Sequence, residues 1–244
     1  MLEGLYSAAA GMSAQQEQLD AIGNDLANES TTGYKSERFG FRDLLYSQVE
    51  QVGTTSATVG AGAGGQVIGR DGSQGAIQQT GDPLDLAIEG EGYFQVKRPG
   101  GQISLTRGGA FGVDASGQLT AHDGSLLSPP ITIPRGVSAG EVSIAQDGTV
   151  SAHGRRLGQI ALVTVASPDH LLADGAGGLS VTAASGPTRP VSGAHIVQGA
   201  LESSNVDLAG EMSQMMITQR AFQLTSTAIH TQAQMLSIAN QLRA

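Results

Sequence analysis

Residues 60–65, Gly-Ala-Gly-Ala-Gly-Gly, satisfy the G-x-G-x-x-G spacing that lets a backbone approach a pyrophosphate, and Asp85 stands 20 residues beyond them. That chemistry needs a buried strand before the glycines and a helix after them. Here "QVGTTSATV" precedes and "QVIGRDGSQG" follows, so the stretch reads as a flexible connector. Asp85, Glu89 and Glu91 have the residue types of an acid–base pair. Period-two alternation in "LDLAIEG" instead sets Asp85 and Glu89 on the solvent side of a strand. His122, His153, His170, His195 and His230 follow no metal-ligand spacing, and the chain has no cysteine. Thiolate catalysis, disulfides and Cys-type zinc sites are therefore excluded. No G-x-S-x-G or S-x-x-K motif occurs. The expectation is a protein that is not an enzyme, with no catalytic, cofactor or metal site.

The elements that would have to position such groups suit another task. The 244 residues include 35 glycines, no Trp and only 4% aromatics, a mix suited to turn-rich β structure. The net charge is −9, with Lys35 and Lys97 the only lysines, so the basic patch of a nucleic-acid binder is missing. No window approaches the roughly 20 apolar residues of a membrane span. Glu3 stands where a signal peptide would be positive, so an exported form would use a route without that signal.

Periodicity divides the chain into helical ends and a β middle. Leu5, Met12, Leu19 and Leu26 recur every seven residues, flanked by Ala8, Ala9 and Ile22. Leu201, Leu208, Met215, Phe222, Ile229 and Leu236 repeat likewise, with Met212 and Ala233 beside them. "SSNVD" offers Ser204, Asn205 or Asp207 as the cap of the second helix. Between lie short alternating strands. Pro99-Gly100-Gly101, Ser116-Gly117 and Asp147-Gly148 mark hairpin turns. The expected fold is α+β: terminal helices forming a coiled-coil-like domain (1–32 and 203–244), a hinge and Gly-rich connector (33–75), and a central antiparallel all-β domain (76–202).

Helices of this length cannot be wrapped by such a β domain, and a lone helix with one apolar seam is marginal in water. Their remaining faces carry Gln, Ser, Thr and Asn in place of charges, a surface that tolerates burial against protein. Self-assembly through the ends is the expectation. Its candidate interface is Leu5, Met12, Leu19, Ile22, Leu26, Leu208, Met212, Met215, Phe222, Ile229 and Leu236. The alternative from another class is a soluble ligand-binding or carbohydrate-acting β protein with a helical dimerisation stalk.

Several motifs are also similar to one family. "NDLANESTTGYK", "PLDLAIEGEGYFQV", "TRGGAFGVDASGQL", "VSIAQDGTV" and "QGALESSNVDLAGEMSQMMITQRAFQ" stand in the order found in the flagellar rod and hook axial proteins. "FRDLLYSQ" and "SQGAIQQTGDPLDLAI" resemble the distal-rod branch, with the proximal-rod branch as alternative. The chain departs from the family at Asn24-Asp25, where paired Asn is common, and at Phe222-Gln223, where Tyr-Glu is frequent. The resemblance implies a hollow helical shaft at the flagellar basal body, with the ends inside and the β domain outside. It implies as partners further copies of the chain, other rod and hook subunits, the flagellar type III export apparatus, and peptidoglycan and ring proteins. It also implies a hinge motif at Asn24, Asn28, Thr32, Gly33 and Tyr34, where the chain leaves the inner helix. Gly33 would take a positive φ there as a helix C′ residue.

Overall fold

Helix α1 runs Leu2–Ala27 and helix α2 runs Leu208–Gln241, about 39 and 51 Å long at 1.5 Å per residue. Neither contains proline, and no described helix is long and apolar enough to cross a membrane. The computed structural model describes residues 2–44, 47–52, 55–60, 62–175, 177–191 and 193–241. The chain divides into two units: residues 1–27, 37–68 and 207–244, and residues 28–36 and 69–206.

In the first unit α1 and α2 pack together. Gln18 Oε1 accepts the Thr218 hydroxyl at 3.2 Å, Gly4 lies beside Gln232, and Asp25 beside Glu211. These index pairs share one sum, which defines an antiparallel pair. The unit also holds β1 (Glu37–Asp43) paired with β4 (Ala63–Arg70), and β2 (Ser47–Val52) paired with β3 (Thr55–Val59). Two ribbons thus occupy the stretch expected to be a featureless connector. Its β-branched residues Val49, Val52, Thr55, Thr58 and Val59 favour strands despite the surrounding glycine. The glycines of the dinucleotide-like spacing run into β4, a strand, and Ala61 lies outside the described residues.

The second unit is antiparallel β. Its strands are β5 (Ile77–Gln79), β6 (Leu86–Glu89), β7 (Tyr93–Lys97), β8 (Ile103–Thr106), β9 (Phe111–Val113), β10 (Leu119–Ala121), β11 (Leu126–Leu127), β12 (Val142–Ile144), β13 (Thr149–Ala152), β14 (Arg155–Gln159), β15 (Leu162–Thr164), β16 (Leu172–Gly175), β17 (Gly178–Ser180), β18 (Arg189–Pro190), β19 (His195–Gln198) and β20 (Ala200–Glu202). The main sheet follows the order β16-β17-β8-β7-β11-β10-β9. β7 keeps β8 along one side and divides the other between β15, at Tyr93 and Phe94, and β11, at Val96 and Lys97. Leu86, Ile88, Phe94, Leu119, Leu127, Val150 and Ile196 fill the core, where Phe94 and Phe111 meet edge to face at 5.2 Å. Ala87 is buried as well, so β6 is covered on both faces and does not alternate as its sequence suggests. Asp85 is half-buried and accepts the Thr80 hydroxyl, while Glu89 is exposed.

Three turns share one device. In Asp71-Gly72-Ser73, Asp123-Gly124-Ser125 and Asp147-Gly148-Thr149 the Asp carboxylate accepts both the backbone N–H and the hydroxyl two residues on. The side chain imitates the backbone of a turn, and at Asp123 and Asp147 it closes the β10–β11 and β12–β13 hairpins.

Candidate assembly interface

Helix α2 begins later than its heptad suggests. Leu201 lies in β20, and the helix starts at Leu208. Asp207 caps it, accepting the Ala209 N–H at 3.2 Å. Asn205, a candidate for that role, instead accepts the Ser36 N–H and donates to Asp71 O.

Toward α1, α2 presents Glu211, Met215, Thr218, Phe222, Thr225, Ile229 and Gln232, at alternating steps of three and four residues. This contact stripe is half apolar and half polar. Thr218 is buried in it, and Met215, Phe222 and Ile229 are half-buried. Leu208 and Met212, expected in the same seam, are exposed, and the side chain of Leu236 lies outside the described residues. On α1 the deepest apolar positions are Ala14, Ala21 and Ile22. Leu5, Met12, Leu19 and Leu26 are only half-buried, on the neighbouring face. Small alanines let two backbones approach where leucines would hold them apart.

The remaining α2 surface is the larger finding. Ile217, Leu224, Met235 and Ile238, with Ala228 and Thr231 between them, recur at steps of three, four and seven residues. At about 100° per residue this stripe lies roughly 110° around the helix from the α1 contact. Ile217 is 60% exposed and Leu224 72%. Sequence periodicity contained this second stripe, but the stronger heptad of Met215, Phe222 and Ile229 masked it.

At the end of this helix pair, the Asp25 carboxylate is buried and accepts the Glu37 N–H with both oxygens, at 3.0 and 3.1 Å. A carboxylate accepts such a bond more strongly than a neutral amide would. Burial, followed by the charges of Asp25 and Asp207, pushes the Glu211 carboxyl up. A raised folded-state pKa is a stabilising contribution in acid that fades as pH rises through it, so mild acid favours this end of the pair.

The hinge residues divide. Asn24 lies in the last turn of α1 and is exposed, while Asn28, Thr31 and Thr32 form a turn in which the Thr31 N–H reaches Asn28 O at 3.0 Å. Gly33 has φ of +69°, as expected, but it lies beyond that turn and its N–H donates to Glu202 O, so it is not a helix C′ residue. A Cβ there would come within 2.4 Å of the Arg107 backbone. Gly33→Ala is expected to lower stability by more than about 1 kcal/mol through strain and clash together, read as a lowered urea midpoint at unchanged slope. Tyr34 is buried with the Arg70 guanidinium over its ring at 5.6 Å.

Beside this turn sits a feature that sequence reading missed. The buried Glu202 carboxylate accepts Lys35 Nζ at 2.5 Å, an Arg107 guanidinium N–H at 2.8 Å and the Gly75 N–H at 2.9 Å. Arg107 also donates to Gly90 O, and Lys35 to Ser73 O. Around them, the Asp71 N–H donates to Ser36 O, and the Ser203 N–H to Ala76 O. The segment entering the β unit is thereby laced to the segment leaving it, and we refer to this as the neck. Burial pushes the Glu202 carboxyl up, but the Lys35 and Arg107 hydrogen bonds outweigh it and hold the group below its ordinary range.

No group of three His, Asp or Glu among the described residues is placed to hold a metal. His153, at φ +49°, lies 3.7 Å from Glu141, and His230 is exposed on α2.

Helical ends with surplus apolar surface, joined to a β body that is laced at its neck, define a polymerising structural subunit. Family models match in chain order: "Flagella basal body rod protein" over residues 5–35, "Flagellar hook protein FlgE/F/G D1 domain" over 87–152, and "Flagellar basal body rod FlgEFG protein C-terminal" over 197–242. The flagellar basal-body rod protein FlgG of Caulobacter vibrioides is 36% identical, covering 99% of this chain and 100% of its own. The FlgG proteins of Borreliella burgdorferi, at 35% (100% and 99% covered), and Bacillus subtilis, at 37% (97% and 97%), are similar over the same span. The chain belongs to the flagellar basal-body rod protein family, and its full-length similarity runs to the FlgG, distal-rod branch.

Proposed function

We propose that this chain is a structural subunit of the distal rod that polymerises through α1 and α2 into a hollow helical shaft at the flagellar basal body. The observation that carries the reading is α2, which has a second, exposed apolar stripe besides the one that α1 covers. Identical subunits meeting through different patches propagate a helix when the rotation between neighbours does not close. In the shaft the helices form coiled-coil-like contacts both within and between subunits. Leu5, Met12, Leu19, Ile22 and Leu26 join the α2 residues at those contacts. The turn Asn28–Gly33 and the buried Tyr34 redirect the chain from inner helix to outer body, and the neck ties together the two segments by which the chain enters and leaves that body. The flagellar type III export apparatus is the route out of the cell. Other rod and hook subunits, peptidoglycan and ring proteins are the neighbours in place.

Sedimentation and electron microscopy of concentrated full chain test the reading: filaments support it, and a fixed dimer would favour a stalked β protein. Phe222→Asp and Leu26→Asp should each abolish incorporation into rods while the circular dichroism of the β unit persists. Normal rods in either variant would remove these side chains from the interface.

A further inference from the structure

Five of the six methionines lie among the described residues, in distinct environments. Met12 and Met215 are half-buried between or beside the helices. Met212, Met216 and Met235 are 52, 54 and 58% exposed on α2, away from α1. Methionine is the most adaptable apolar side chain for packing, and also the one that oxidation turns polar.

We propose that Met212, Met216 and Met235 form an oxidation-sensitive checkpoint on the free subunit, a reading that rests on the assembly role above. The co-reactant is a two-electron oxidant of the peroxide class. The thioether sulfur donates a lone pair to one peroxide oxygen, the O–O bond breaks and an S–O bond forms. The other oxygen leaves as water after proton transfer. Sulfur is oxidised by two electrons and peroxide is reduced by two. The product is a polar, chiral sulfoxide where assembly requires apolar contact. The α2 hydroxyls near these sites already bond to the helix's own backbone: Ser213 to Ala209 O, Thr227 to Gln223 O and Thr231 to Thr227 O. An oxidised subunit therefore stays out of the shaft, while one already packed is shielded from oxidant.

The test treats full chain with hydrogen peroxide, follows each methionine by peptide mass spectrometry, and measures pelleted polymer. Met212, Met216 and Met235 should gain oxygen several-fold faster than Met12 and Met215, and polymer should fall in proportion. Methionine sulfoxide reductases should restore it. The triple variant Met212→Leu, Met216→Leu, Met235→Leu should polymerise equally before and after peroxide. Equal oxidation rates at all five sites, or undiminished polymer from oxidised wild-type chain, would overturn the checkpoint and leave assembly untouched. Wild-type chain that forms no polymer before peroxide would overturn the assembly reading, and the checkpoint with it.

Discussion

Glu202→Ala is expected to cost about 3–5 kcal/mol, the range for breaking a buried ion pair by removing one partner. Lys35 and Arg107 would each keep a charge in a site that is 5 and 6% exposed, with its counter-charge gone. The Gly75 N–H would lose its acceptor as well. Chemical denaturation of the full chain, followed through a signal from the β unit, measures the loss. The same group sets an acid limb. A carboxyl held below its usual pKa contributes fully above about pH 4.3, and the contribution is lost as pH falls through the folded value. Wild-type chain should therefore lose stability in acid, and Glu202→Gln, already weakened, should lose less. An identical acid limb in both would remove Glu202 from this role.

Ile217→Asp combined with Leu224→Asp should leave the monomer as stable as wild type, within about 0.5 kcal/mol, as substitutions at exposed positions do. It should also abolish polymer. Each aspartate would lie in an interface without a partner, and burying an unpaired charge costs several kcal/mol per contact, repeated at every subunit. The contrast with Phe222→Asp is diagnostic, since that half-buried ring also meets α1 and its loss should loosen the monomer as well. Sedimentation velocity separates the two. A double variant that polymerises normally would move the contact to another face of α2.

Much of this architecture was legible from local chemistry. Asp147-Gly148 turns β12 into β13 with Ile144 opposite Val150, and Pro99-Gly100-Gly101 joins β7 to β8 with Lys97 opposite Ile103. Turn residues act within four positions, so they can be read in a line. The neck could not be read that way. Lys35 and Glu202 are 167 positions apart, Arg107 and Glu202 95, and nothing local marks them as partners. The heptad of α1 pointed to its leucines, whereas Ala14 and Ala21 are the more deeply buried, because periodicity scores size and burial rewards fit. Asp25 stood out only as a departure from the family pattern, and its reason lies twelve residues on, at the Glu37 N–H.

On α2, Ser213, Thr225, Thr227 and Thr231 each spend their proton on a carbonyl four residues back. What they show outward is methyl and methylene, and along Leu208–Gln241 the only full charges are Glu211 and Arg220. A coat of that kind gives dissolved ions almost nothing to screen. Its grip should hold alike at low and at high ionic strength.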